Sequence, residues 1–117
     1  MTVRVICDNP GGLSQSVYDT LRSGDEVGTW KLTGPANARR LEFQAAQWKG
    51  AGTFGLHSMG DELHCIFRWE TRPEENRVLH CWAAHHTDLA QMFLVHFKNV
   101  AIDVRIAPPT EQDLEAK

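Results

Sequence analysis

Residues 53–86 constrain the fold more than any other part of the chain. TFGLHSM (53–59), ELHCIFRWE (62–70) and RVLHCWAAHH (77–86) read as three strands of an antiparallel meander. Gly60-Asp61 fits a two-residue hairpin turn with glycine first, and TRPEEN (71–76) is a polar loop. With that turn, Met59 faces Glu62 and His57 faces His64. With Glu70 opposite Arg77, Cys65 faces Trp82 and Phe67 faces His80. Leu63, Cys65, Phe67, Trp69, Val78, His80, Trp82 and Ala84 then share an apolar face aimed at the core. Glu62, His64, Ile66, Arg68, Cys81 and His85 fall on a mixed face.

Three further strands are expected at the edges of this sheet. TVRVICD (2–8) sets Val3, Val5 and Cys7 against Arg4 and Ile6. VGTWKLT (27–33) is short, and VAIDVRI (100–106) directs Val100, Ile102, Val104 and Ile106 inward. Leu13, Val17 and Leu21 at helical spacing predict a helix over 13–23 that stops at Gly24. Leu89, Met92, Phe93 and Phe97 predict another over 87–97, with Thr87 or Asp88 as its cap. Segment 36–48 fits either type. Pro35 and Gly50 favour a helix, while Leu41, Phe43 and Ala45 alternate as in a strand. The whole is an α+β domain: a mostly antiparallel, twisted sheet with two to three helices on one face. It occupies residues 1–107, and 108–117 is expected to be an acidic, flexible tail.

Charge narrows the function. The 117 residues hold 12 Lys and Arg against 15 Asp and Glu, a net charge of −3, and the only close basic pair is Arg39-Arg40. A nucleic-acid binder usually shows a basic excess or stripe. No apolar run is long enough to span a membrane, and the first residues lack the pattern of a secretory signal. Three cysteines without a CxxC spacing fit reduced thiols in the cytoplasm.

The histidines offer two chemistries. On the mixed face, His57, His64, Cys81 and His85 could converge on zinc, with neighbouring Cβ atoms about 5–8 Å apart. No short metal motif supports that set, and no cofactor is expected. His85 and His86 stand where the last meander strand meets a helix, a place where a titratable ring can serve as general acid or base. His80 reads as a core histidine. The strand-then-helix order of ELHCIFRWE, NRVLHCWAAHH and DLAQMF resembles the RelE/ParE-type ribosome-dependent toxins over about a third of the chain. That resemblance implies an RNA-cleaving activity on the ribosome, with Arg68, His85 and His86 as catalytic residues.

The favoured reading is a small binding protein without catalysis, an inhibitor, immunity-type or adaptor domain that docks on another protein. Trp48, in QWKGAG, is the tryptophan expected at the surface, and with Arg39 and Arg40 it forms the candidate binding set. The second reading is a histidine-dependent hydrolase acting on RNA, and the third is a zinc-binding cluster. The oligomeric state stays open, a homodimer included.

Overall fold

The computed structural model describes residues 2–22 and 29–115. It is an α+β domain with a six-stranded, wholly antiparallel sheet. The elements are β1 (Thr2–Ile6), α1 (Pro10–Arg22), β2 (Trp30–Thr33), β3 (Arg40–Phe43), β4 (Gly52–Met59), β5 (Glu62–Trp69), a 3-10 turn (Glu75–Arg77), α2 (Val78–His96), β6 (Asp103–Ile106) and α3 (Glu111–Leu114). The strand order is β2-β3-β4-β5-β1-β6. β1 is therefore interior, and β2 and β6 are the edges. Residues 23, 27 and 28 of the expected elements lie outside the described residues.

The β4–β5 hairpin has the expected register. His57 opposes His64 and Met59 opposes Glu62, with Gly60 at φ 65°, a left-handed conformation that glycine adopts without strain. Leu63, Cys65 and Trp69 are buried, while His64, Ile66 and Arg68 lie on the other, open face.

The third meander strand is corrected: residues 78–96 are one helix, α2. No proline or glycine interrupts residues 74–107. Val78, Cys81, Trp82, His85, Leu89, Met92 and Phe93 form one continuous stripe at helical spacing, all buried. The apparent alternation in 77–86 was the start of that stripe. His80 is consequently exposed on the helix, not buried among Phe67 and Trp82. Thr87 and Asp88 are mid-helix rather than caps. The Thr87 hydroxyl donates to the Ala83 carbonyl at 2.8 Å. Asp88 Oδ1 accepts from the buried Trp30 indole at 2.8 Å and from the Thr29 hydroxyl at 3.1 Å, tying α2 to the β2 edge. Asp88→Ala leaves that indole N–H without its acceptor. It should lower stability by about 1–3 kcal/mol in urea titration, with Asp88→Asn, which keeps an acceptor oxygen, losing less.

Segment 36–48 resolves towards its strand alternative. Leu41 and Phe43 point inward opposite Leu32 and Trp30, and Leu41 also meets Phe54. Cross-strand burial outweighs the local helical preference. Pro35 and Gly50 mark turns instead of helix ends.

One core lies between the sheet and the helices. From α1, Leu13, Val17 and Leu21 enter it, and the Asn9 side chain accepts from Gly12 N–H at 3.0 Å to cap that helix. Val3, Val5 and Cys7 face it as expected, but Val100 and Ile102 precede β6 and are 50% and 66% exposed. Residues 108–115 are not a free tail. Thr110 and Asp113 form a reciprocal capping box. α3 docks through bonds from Trp69 Nε1 to the Asp113 carbonyl and from Arg72 Nε to the Leu114 carbonyl. Among the described residues no helix is long and apolar enough to cross a membrane.

Candidate functional site: a basic cleft where β3 and β4 part

β3 pairs with β4 only at Leu41–Phe54 and Glu42–Thr53, whereas β4 runs on to Met59 beside β5. Past Phe54 the two strands separate. The opening is bounded by α1 and by the turn segment 33–39, and it forms a cleft of about 900 Å³, within the usual size of ligand sites. Its lining includes Gln15, Tyr18 and Arg22 from α1, Arg39 and Arg40, and Thr53, Gly55, His57, Arg68 and Glu70 from the sheet.

Arg40 begins β3 with its side chain on the open face, since Leu41 and Phe43 take the inward positions. Its Nε donates to Thr53 Oγ1 at 2.6 Å, and its Nη2 donates to the carbonyls of Thr53 and Ile66, each at 3.2 Å. Nη1 has no hydrogen-bond partner among the described residues. It sits over Gly55, where a Cβ would come within 2.7 Å of it. A glycine inside a strand often marks such a close approach, and here it makes room for the guanidinium.

A relay continues from Arg40. Thr53 Oγ1 donates to Glu70 Oε1 at 2.8 Å, and Arg68 donates to the same oxygen through Nε and Nη2 at 2.9 and 2.7 Å. Burial works against the Glu70 carboxylate. The bonds from Arg68 and Thr53, with the charges of Arg68 and Arg40, outweigh it and hold the group below the ordinary carboxylate range. Partial burial and the nearby Arg68 lower the pKa of Arg40 below the ordinary guanidinium range. Burial also raises the Tyr18 phenol. Four guanidiniums thus meet two carboxylates, Glu42 and Glu70, and Glu42 is also held by Lys31 at 3.9 Å. The cleft is basic although the whole chain carries −3.

The expected site residues divide among three places. Arg39, Arg40 and Arg68, assigned from the sequence to different roles, line one cleft with His57. His64 lies on the same open face, its Nε2 3.2 Å from Glu62 Oε1. Trp48 is not at the surface. It is 8% exposed, and the Arg77 guanidinium lies 4.6 Å from its ring centre. Cys81, His85 and His86 belong to the core through α2, so the set His57, His64, Cys81 and His85 is split across the sheet. Among the described residues no three His, Cys, Asp or Glu side chains are placed to hold a metal ion. Burial pushes the Cys81 thiol up to about 11.

His85 and His86 are fully buried. Each Nδ1 lies against the carbonyl one turn back, His85 on Cys81 at 2.8 Å and His86 on Trp82 at 2.7 Å. A carbonyl only accepts, so each Nδ1 carries the proton and each Nε2 is a bare acceptor. Neither Nε2 has a partner among the described residues. The His86 ring stacks on Trp82 with centroids 3.6 Å apart and meets Phe54 and Phe67 edge-on or tilted. Burial drives the His86 pKa down to about 3 and lowers that of His85 as well. Two neutral, sealed rings have no route to a substrate.

Tyr18, Thr53, Gly55 and Glu70 join the site without having been singled out from the sequence. Gly55, a lone glycine inside a strand pattern, was the one available signal. Comparison of the chain with known protein families, curated proteins and solved structures finds no match.

Proposed function

We propose that the chain is a binding domain without catalysis, which holds an acidic segment of a partner protein in the cleft between β3 and β4. The observation that carries this reading is the Arg40 guanidinium. It is fixed through Nε and Nη2, and it keeps Nη1 unpartnered among the described residues over Gly55. Anchored in this way, it gives up little side-chain freedom when a carboxylate arrives, and preorganisation of this kind favours affinity. Guanidiniums suit carboxylates because two parallel N–H bonds match two oxygens. Arg39 adds to the positive field, and Arg22 and Arg68 stand beside it paired with Asp19 and Glu70.

The histidine-hydrolase reading rests on His85 and His86, and their burial favours binding over catalysis. The cations of the cleft form a compact set, unlike the basic stripe that follows an RNA backbone. An inhibitor or adaptor would act through such docking, and three free, buried cysteines fit a reducing compartment.

Fluorescence anisotropy with a labelled glutamate-rich peptide tests the proposal. Arg40→Gln should weaken binding about tenfold, the loss of one charge-assisted contact. Adding Arg68→Gln should weaken it further, and rising salt should weaken the wild type because the other cations are exposed. Equal binding by the double variant would sink the proposal. Tighter binding of an RNA oligonucleotide than of the peptide would favour the runner-up.

A further inference from the structure

β6 is a four-residue edge strand paired only with β1. Edges of this kind are usually blunted by shortness, charge, lysine or proline. β6 is short and charged, but it carries neither lysine nor proline and its two charges are of opposite sign. It alternates Asp103, Val104, Arg105 and Ile106, with the two opposite charges on the open face. On the other face Ile106 is 37% exposed, Ile102 in the bend before the strand is 66% exposed, and Leu94 and Val95 at the end of α2 leave more apolar surface uncovered.

We propose that β6 pairs antiparallel with β6 of a second copy of this chain, centred on Val104, to join two sheets into one. The charges select both the occupant and the register. A two-fold axis through Val104 sets Asp103 opposite the partner's Arg105 and Val104 opposite its own copy. A shift of one residue would oppose apolar to charged faces. A shift centred on Asp103 or on Arg105 sets that residue against its own copy, and directly opposed like charges destabilise a strand pair. Only the Val104 register matches every pair. Such self-complementarity is what a two-fold interface requires. Within one chain, Arg105 Nε already bonds Asp103 Oδ2 at 2.8 Å, so both side chains stand in place on the open face. The edge lies across the sheet from the β3–β4 cleft, and this dimer does not depend on the function proposed for that cleft.

Sedimentation across a concentration series, with circular dichroism as the check of fold, tests the register. Wild type should show a monomer–dimer equilibrium. Arg105→Asp gives two acids on each edge and Asp103→Arg gives two bases, so each variant alone should associate at least tenfold more weakly. Their equimolar mixture should form a heterodimer about as tight as the wild-type dimer, because the all-basic edge of one variant then meets the all-acidic edge of the other. Wild type that stays monomeric at every concentration overturns the proposal. So does either single variant that dimerises like wild type, or a mixture of folded variants that stays monomeric.

Discussion

Between pH 6.5 and pH 4.5 the protein should lose stability, driven chiefly by His86 and reinforced by His85, two histidines with no access to solvent. His86 is held down to about 3 by burial, and His85 is lowered for the same reason. Both have an ordinary value of 6.5, which the unfolded chain recovers. Below that pH the unfolded state takes up protons at rings where the folded state resists them, most strongly at His86. The stability present above pH 6.5 is therefore lost as the pH falls towards the folded values. The slope from His86 grows towards about 1.4 kcal/mol per pH unit well below pH 6.5, and His85 adds to it. Urea titrations at half-unit steps would measure the slope. His86→Phe puts an apolar ring into the same aromatic stack and should remove the larger part of it, and adding His85→Phe should remove more. An unchanged slope in the double variant would refute the assignment. Glu70 and Asp113, both lowered below the ordinary carboxylate range, begin to lose their contributions only below their ordinary values of 4.5 and 3.8, so the loss above pH 4.5 belongs to the histidines.

Phe54→Ala should be the most damaging single truncation near the site, at about 3–5 kcal/mol. Phe54 is fully buried and meets Trp30, Phe67 and His86 at ring separations of 5.7, 5.2 and 4.9 Å. It also stands opposite Leu41 in the last pair before β3 and β4 separate. An alanine there leaves a cavity among rigid rings that cannot collapse to fill it. Phe54→Leu, which keeps most of the volume, should lose well under half as much. Chemical denaturation of the three proteins at pH 7.5 checks this, and a loss below about 1 kcal/mol for the alanine variant would show that the ring cluster relaxes freely. Because Thr53 and Gly55 flank Phe54 in the sequence, the same variant should also weaken peptide binding in the cleft.

The hairpin 53–70 was readable because alternation, turn chemistry and register all depend on neighbouring residues. Gly60 set the turn, and the His57–His64 pair followed. The run 77–86 misled because the first turns of a helix that is buried over much of its surface also place apolar and polar residues side by side. Only the extension of the stripe to Phe93, without a glycine or proline, distinguishes the two. Leu41 and Phe43 sit in a sequence with helical propensity, and it is their strand partners that decide the outcome. The cleft depends on long-range placement. Arg40, Thr53 and Arg68 come from three strands and Glu70 from the bend after β5, and no spacing along the chain announces that they meet. Arg39 and Arg40 were noticed as a charge pair, but what makes Arg40 distinctive is the space above Gly55.

The interior position of β1 gives the fold an order of assembly. Val3 pairs with Cys65 on one side and with Ile106 on the other. While the chain is being made, β1 can dock on β5 once that hairpin has left the ribosome, but its other edge has no strand to meet until β6 emerges. For that interval Val3 and Val5 lie next to an open row of backbone donors and acceptors, the kind of edge that recruits foreign strands. Synthesis that halts in the stretch between α2 and β6 would leave a nearly complete domain with this edge exposed. The final strand therefore closes the second edge of β1 last, and a chain that stops before it leaves that edge open.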